Sequence, residues 1–218
     1  TAALDGPRRR AELRFTGASK RKTRIAENAR PMTQEEISEL ARHGRQNALI
    51  YTMLAGTGLR LNELRNLRWS DVNLDAAELT TRAEWSKNRR QQTIPLPPHI
   101  LQGLCERRLQ EADSELVVPV SDRLLRQFKD DLEAAKIRLR DARGHTVDLH
   151  ALRHTYGTML INSGADIKSV QTLMRHSSPV LTLGIYLHSD KGRLRNAVAN
   201  LPAPTQAKML EPAVAANT

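Results

Sequence analysis

The sequence is short of cysteine and of aromatic side chains, and each shortage excludes classes of function. Cys105 is the single cysteine among 218 residues, so neither an intrachain disulfide nor a zinc site built on several thiolates can form. Aromatic residues make up 3% of the chain, too few for the base-stacking platforms of single-strand binders and RNA-reading sheets. We therefore expect a protein of the reducing cytoplasm whose partner is duplex DNA.

Long apolar runs are also missing. No segment approaches the roughly 20 apolar residues needed to cross a bilayer, and no signal-peptide segment opens the chain. What the chain has instead is positive charge: 34 Lys and Arg residues stand against 24 Asp and Glu residues, for a net charge of +10. This balance favours a polyanionic partner, usually nucleic acid. The expected location is the cytoplasm, in association with the nucleoid, with no membrane partner.

Basic residues are concentrated in residues 1–30, where nine of them accompany three acidic residues and apolar periodicity is poor. This segment is either a solvated linker or a basic arm that lies along DNA and leads from a DNA-binding domain upstream. Lys20, Arg21 and Lys22 are candidate DNA contacts within it. We predict a folded domain over residues 31–201 and a flexible Ala/Pro-rich tail over residues 202–218.

The pattern within the folded domain predicts an α+β fold that is mostly α-helical. Thr33 followed by Glu36 is a capping box that starts a helix, and segments rich in Thr and Ile predict a small antiparallel three-stranded sheet. The predicted strands are 71–74, 78–84 and 92–96. The predicted helices after the first are 47–55, 61–68, 99–110, 121–142, 149–163, 167–175, 179–187 and 191–200.

Four short motifs stand out along this domain. They are Thr57-Gly58-Leu59-Arg60-Leu61-Asn62-Glu63-Leu64, Ser86-Lys87, His150-Ala151-Leu152-Arg153-His154-Thr155, and Arg175-His176-Ser177-Ser178 followed by Tyr186. In this order and spacing they resemble the tyrosine recombinase (phage integrase) family from Pro31 to Asn200. The resemblance implies the catalytic-domain fold of that family.

The resemblance also implies a reaction, in which duplex DNA is cleaved and rejoined through a 3′-phosphotyrosyl intermediate without a metal ion, ATP or another cofactor. Arg60 and Arg153 would hold the phosphate, a task that suits a planar, permanently charged guanidinium. Lys87 would donate a proton to the departing 5′ oxygen, and Tyr186 would attack the phosphorus. Glu63 would orient the region of Arg60 by hydrogen bonding.

The histidines complete the implied site. His150 precedes Arg153 by three residues and shares its helix face, and it would accept the tyrosine proton or hydrogen-bond the phosphate. His176 would donate a hydrogen bond to the same phosphate. A zinc site on His150, His154 and His176 is less favoured, because Ala151 stands where an H-E-x-x-H motif has its glutamate. We therefore assign no metal ligand and interpret His154 as structural.

The chain has three tyrosines, which leaves a choice of nucleophile. Tyr51 lies in an apolar run and is predicted to be a core residue. Tyr156 is predicted to lie on the far side of its helix from Arg153. Tyr186 follows the last motif and is the nucleophile that the resemblance implies.

One residue departs from the family pattern. Arg175 stands where the family commonly has glycine, so either it adds a contact to DNA or the local joint between helices differs. With Arg89 and Arg90, which share the turn of Lys87, it is a candidate DNA contact.

Two other classes of function compete with a recombinase. One is a DNA-binding regulator that keeps the scaffold without catalysis, and the other is a relaxing topoisomerase that uses the same chemistry. The resemblance implies a homotetramer on DNA and allows a monomer in solution. Phage integration, transposition of a mobile element and chromosome resolution all fit the sequence.

Overall fold

The structure is a computed structural model that describes residues 29–86 and 89–187, with only the backbone given for residues 184, 186 and 187. Lys87 and the candidate contacts Lys20, Arg21 and Lys22 lie outside the described residues, as do the predicted helix 191–200 and the tail 202–218. In the described part, the prediction of a mostly helical α+β fold with one small sheet is confirmed. No helix there is long and apolar enough to span a membrane.

The first helix begins at the predicted capping box. The Thr33 hydroxyl accepts from the backbone N–H of Glu36 at 3.2 Å, and the Glu36 carboxylate accepts from the N–H of Thr33 at 3.0 Å, which satisfies two donors that a helix start leaves open. The helices are α1 (Gln34–Gly44), α2 (Ala48–Thr57), α3 (Leu61–Arg65), α4 (Pro98–Gln110), α5 (Leu124–Ala134), α6 (Leu149–Asn162), α7 (Ile167–Leu173) and α8 (Pro179–Leu187).

The sheet is antiparallel with the strand order β1-β2-β3, as predicted, although its strands are shorter than expected. The strands are β1 (Val72–Asn73), β2 (Glu78–Thr81) and β3 (Gln92–Pro95). Leu79 pairs with Ile94, and both side chains are buried. This register fixes which face of the sheet meets the core, because side chains alternate between faces along a strand.

The centre of the core is α2, which is apolar on almost every side. Ile50, Met53 and Leu54 are all buried, as expected for a helix without a polar face. This helix packs against α1 and α6. A second apolar cluster, formed by Tyr156, Ile161, Val170, Met174 and Ile185, joins α6, α7 and α8, and these helices carry most of the predicted site.

The predicted helix 121–142 is wrong in length, because α5 ends at Ala134. Lys136 takes a φ of +56°. The N–H of Ile137 donates to the carbonyl of Leu132 and the N–H of Lys136 to that of Glu133, each at 2.8 to 2.9 Å. This is a Schellman ending, which usually has glycine at the left-handed position. The prediction placed the stop at Gly144 because the sequence has no earlier glycine in that segment.

Two glycines with positive φ provide a matched test of packing beside the site. Gly58 has φ +59°, and a Cβ built there collides with the ring of Tyr156; Gly144 has φ +83° with nothing within 4 Å of such a Cβ. Gly144→Ala should cost about 1 kcal/mol of unfolding free energy from backbone strain alone. Gly58→Ala should cost about 2–5 kcal/mol, since overpacking adds to the strain. Urea unfolding monitored by circular dichroism measures both, and equal losses would contradict the collision.

Candidate active site

The turn between α2 and α3 forms one wall of the site. α2 ends at Gly58, whose left-handed conformation lets its N–H donate to the carbonyl of Leu54 at 3.2 Å. The chain then enters α3 with Arg60 as its N-cap and Glu63 in its first turn. The Gly-rich turn therefore places Arg60 two residues after Gly58, whose carbonyl group accepts hydrogen bonds from Arg153 and Arg175.

Arg60 donates two hydrogen bonds to the carboxylate of Glu63. The Arg60 Nη1 atom donates to Glu63 Oε1 at 2.8 Å, and the Arg60 backbone N–H donates to Oε2 at 2.9 Å. The Glu63 side chain is 1% exposed. Burial works to raise the pKa of Glu63, but the charges of Arg175 and Arg60 and the hydrogen bonds from Arg60 outweigh it and hold that pKa below its usual range. Glu63 is thus a buried carboxylate in its charged form, in agreement with an orienting role.

Arg153 projects from α6 into the same region and is 3% exposed. Its Nη1 atom donates to the carbonyl of Gly58 and its Nη2 atom to that of Met174. Burial, followed by the positive charges of Arg60 and Arg175, lowers the pKa of Arg153. Arg60 Nη2 contacts the next carbonyl, that of Arg175, at 3.5 Å. The two guanidiniums implied for the phosphate therefore meet at consecutive carbonyls in one turn.

That turn is the joint between α7 and α8, and it has the same Schellman geometry as the end of α5. The N–H of His176 donates to the carbonyl of Gln171, and the N–H of Arg175 donates to that of Thr172. Arg175 occupies the left-handed position with φ +53°, where glycine is usual. The sequence left two hypotheses for Arg175, a contact to DNA and a different joint between the helices. The backbone geometry bears on the joint, where Arg175 adopts the left-handed conformation that glycine favours.

The structure does not support Arg175 as a direct DNA contact, because its guanidinium is turned inward. The residue is 3% exposed. Its Nη2 atom donates to Gly58 O at 2.7 Å and to Glu63 Oε2 at 3.0 Å. A group engaged in this way cannot also reach a phosphate outside the protein. The sequence could not show this, since an arginine next to a motif is usually exposed.

His176 follows this joint and is held by the next helix. Its Nδ1 atom lies 3.0 Å from the hydroxyl oxygen of Thr182, a fully buried residue of α8. Burial and the nearby charges of Arg153 and Arg60 lower the pKa of His176 to about 3. The imidazole is therefore neutral at physiological pH. A neutral imidazole has one donor and one acceptor nitrogen, so the Thr182 contact sets which hydrogen-bonding role is left to Nε2.

His150 and Arg153 line one hollow together with Leu59, Leu61 and Leu125. His150 is exposed there, and its ring stands edge-on to that of His154 with centroids 5.1 Å apart. Among the residues that the structure describes, no group of three or more His, Cys, Asp or Glu side chains is placed to hold a metal ion. His150 and Arg153 thus lie at the same hollow as Leu59 and Leu61, the neighbours of Arg60 in sequence.

Helix α8 has the predicted bounds and carries Tyr186, the predicted nucleophile, near its end. Thr182 lies four residues before Tyr186, so the two positions share one face of the helix. Tyr51 is fully buried, as predicted. The prediction for Tyr156 is wrong: it follows Arg153 by one helical turn, and its phenol is close enough to interact electrostatically with Arg153 and Arg175. It is 7% exposed and packs beneath Gly58.

An open cleft of about 540 Å³ lies in front of His176, between the sheet and α7. Arg90 and Lys168 add positive charge to its rim, and Arg89 is exposed beside it in sequence, with φ +49°. The lining residues are Arg90, Gln92, Lys168, Gln171, Thr172, Arg175, His176 and Ser177. Lys168 and Thr182 were not predicted as site residues. Thr182 could have been noticed as the polar residue of the otherwise apolar segment 179–187.

Buried guanidiniums, a neutral imidazole and a basic cleft thus meet around a single turn of a helical scaffold, an arrangement whose charge suits an anionic ligand. The chain belongs to the phage integrase family, whose sequence model matches residues 30–193. It is 31% identical over 176 residues to the tyrosine recombinase XerA of Thermococcus onnurineus, covering 76% of this chain and 60% of that protein. It is 30% identical over 203 residues to XerA of Thermococcus kodakarensis, covering 86% and 70%.

Solved structures share the fold. A crystal structure of XerA recombinase matches with a TM-score of 0.62 at 24% identity, over 78% of this chain and 64% of that one. The Tn1549 transposon integrase in complex with a circular intermediate DNA matches with a TM-score of 0.62 at 19% identity, over 79% and 66%. The catalytic domain of bacteriophage HP1 integrase gives 0.57 at 21% identity, over 78% and 94%. The chain thus spans less than two thirds of the Thermococcus onnurineus relative and nearly all of an isolated catalytic domain.

The low pKa of His176 predicts a specific dependence of stability on pH. An unfolded chain protonates this imidazole as the pH falls through about 6.5, whereas the folded chain does so only near pH 3. Acidification between these values therefore destabilises the folded state. His176→Asn should flatten the fall of the unfolding free energy between pH 6.5 and about 4, by at most about 1.4 kcal/mol per pH unit. Denaturant titrations across this range measure the slope, and parallel curves would contradict the neutral imidazole.

Proposed function

We propose that the chain is the catalytic domain of a site-specific recombinase that cleaves and rejoins duplex DNA through a 3′-phosphotyrosyl intermediate. The observation that carries this proposal is the meeting of Arg60 and Arg153 at consecutive carbonyls, directly before His176. Two fixed guanidiniums beside a neutral imidazole suit the charge that develops on a phosphate during displacement. Membership of the phage integrase family supports the same reaction.

In the proposed cleavage step, the phenol oxygen of Tyr186 attacks the phosphorus and the bond to the 5′ oxygen breaks. His150 accepts the phenolic proton, and Lys87 donates a proton to the departing 5′ oxygen. Arg60 and Arg153 stabilise the charge on the non-bridging oxygens. His176, in its neutral form, donates a hydrogen bond to one of them.

The proposed reaction needs no ATP, because the phosphotyrosyl bond replaces one phosphodiester bond with another of similar energy. A free 5′ hydroxyl then attacks the phosphotyrosyl group and releases Tyr186. The arginine pair provides the positive charge that metal ions give in other phosphoryl-transfer sites, so we propose that no metal is required.

Duplex DNA is the proposed substrate, as the complex of the Tn1549 integrase with DNA supports for a similar fold. We assign residues 31–201 to catalysis, residues 1–30 to a basic arm and residues 202–218 to a tail.

We also propose a homotetramer on DNA. Val180, Leu181 and Leu183 of α8 are exposed apolar residues, and we assign them to contact with residues 190–218 of a neighbouring copy. Counting subunits per complex on DNA, with and without residues 190–218, tests this assembly.

The nucleophile is tested with a nicked duplex that loses a short fragment after cleavage and so traps the covalent adduct. The wild-type chain should form an adduct that survives denaturing electrophoresis, with or without excess EDTA. Tyr186→Phe should abolish it, because the attacking oxygen is gone. Tyr156→Phe, the matched control, should still form it.

The outcomes separate the competing functions. A wild-type chain that binds the duplex without any adduct would indicate a DNA-binding regulator, and an adduct that EDTA abolishes would indicate metal-dependent chemistry. Relaxation of a supercoiled plasmid without strand exchange between duplexes would indicate a topoisomerase.

The basic cleft predicts the salt dependence of DNA binding. If Arg90 and Lys168 each contact a phosphate, Arg90→Ala and Lys168→Ala should each reduce the slope of log K against log salt by about 0.9. Fluorescence anisotropy over a series of NaCl concentrations measures the slope. Arg42→Ala removes an exposed arginine that pairs with Glu39 on α1 and should leave it unchanged. An equal change in all three variants would mean that net charge alone matters.

A further inference from the structure

Arg175 occupies a backbone position at which its side chain is a disadvantage. Its φ of +53° lies in the left-handed region, which residues with a Cβ adopt rarely and glycine adopts freely. The Schellman geometry at the end of α7 requires that conformation whichever residue is present. Arginine is thus not the residue that this backbone conformation favours, and what its guanidinium contacts is the remaining feature that distinguishes it from glycine here.

The guanidinium links two segments that are far apart in sequence. Besides its bonds to Gly58 O and Glu63 Oε2, its Nη1 atom donates to the carbonyl of Leu173 at 3.1 Å and reaches that of Thr57 at 3.5 Å. One side chain thus joins the α7–α8 joint, which bears His176, to the α2–α3 turn, which bears Arg60.

The contact between Arg175 and Glu63 also changes the net charge of the site. Arg60 and Arg175 share the single buried carboxylate of Glu63, with contacts of 2.8 and 3.0 Å, and Arg153 lies beside them. With glycine at position 175, Glu63 would act on Arg60 alone and would cancel much of its charge. With arginine, these four residues carry an excess of two positive charges instead of one. Charge in a buried site acts strongly because little solvent screens it.

We propose that Arg175 is a positioning residue for the phosphate site: it holds Glu63, so that this carboxylate cancels less of the positive charge that Arg60 and Arg153 present to the scissile phosphate. It acts through Glu63 and the Gly58 turn and does not touch DNA. This inference rests on the proposed function, since it concerns the rate of phosphoryl transfer. It predicts that Arg175 affects the rate of cleavage rather than the affinity for DNA.

Single-turnover cleavage of the nicked duplex at saturating protein tests the inference. Arg175→Gly should slow adduct formation by about tenfold or more, with DNA affinity changed by less than about twofold. Arg175→Gln, which keeps a donor but removes the charge, should show a similar loss. Arg175→Lys, which keeps the charge but not the planar fork of donors, should recover part of the rate and exceed that of Arg175→Gln. Rates equal to wild type for both Arg175→Gly and Arg175→Gln would overturn the proposal.

Lys136→Gly is the matched control for the backbone. It replaces a cationic residue that likewise has positive φ, +56°, at a Schellman ending, but one that is exposed and follows the opposite end of α5 from Leu125, the residue of that helix that lines the hollow of His150 and Arg153. Its rate should equal that of the wild type. An equal slowing in Lys136→Gly and Arg175→Gly would assign the effect to helix ends in general.

Coupling to Glu63 separates positioning from simple loss of structure. In a chain that already carries Glu63→Gln, adding Arg175→Gly should change the rate by less than about threefold, because the carboxylate that Arg175 holds is gone. The same loss in both backgrounds would overturn the proposal. Circular dichroism and urea midpoints identify any variant that does not fold, and the Gln and Lys variants then provide the comparison.

A measurement that does not depend on DNA cleavage distinguishes failure of this inference from failure of the proposed function. Burial is the main cause of the low pKa of His176, and Arg175 adds to it after Arg153, Arg60 and His154; Arg175→Gln should therefore raise that pKa by a small amount and Arg175→Lys should not, as measured by NMR titration of the imidazole. If the wild-type chain forms no adduct, the proposed function fails, and this titration alone decides whether Arg175 sets the charge of the site. An unchanged pKa in Arg175→Gln would overturn the inference.

Discussion

The site depends on one backbone group, the carbonyl of Gly58, which accepts hydrogen bonds from two buried guanidiniums. Arg153 reaches it from α6 and Arg175 from the joint between α7 and α8. The carbonyl is available because the chain turns through a left-handed residue at the end of α2, and the ring of Tyr156 fills the space next to that residue. This oxygen atom thereby links three segments that are distant in sequence: the end of α2, helix α6 and the joint between α7 and α8.

Burying the guanidiniums of Arg153 and Arg175 and the carboxylate of Glu63 beside the partly exposed Arg60 is costly unless each is hydrogen-bonded. The site meets this condition mainly with backbone carbonyls, those of Gly58, Met174 and Arg175, rather than with further acidic side chains. Backbone carbonyls satisfy N–H donors without cancelling their charge. The cluster therefore stays net positive, which suits an anionic ligand, and burial together with this positive charge lowers the pKa of His176 and keeps its imidazole neutral.

Much of the fold was predictable because its signals are local. The capping box at Thr33, the three-stranded antiparallel sheet and the bounds of α8 all follow from residues close in sequence. Helix ends were the weakest prediction. Lys136 and Arg175 both take a left-handed conformation that the sequence pattern reserves for glycine, so α5 was predicted too long and Arg175 was assigned to DNA. In each case, tertiary packing outweighs the backbone preference of a single residue.

The sequence by itself determined the kinds of residue at the site and their order, because four motifs with fixed spacing carry that information. It also determined that Arg60 pairs with Glu63 and that His150 shares a helix face with Arg153, since both relations are set by helical geometry. Only the tertiary structure decided that Arg175 faces Glu63 and not the solvent, that Thr182 holds His176, and that Tyr156 packs under Gly58. Some of these contacts join segments separated by up to 112 residues, and the others depend on how α6, α7 and α8 pack against one another. No local pattern in the sequence predicts such packing.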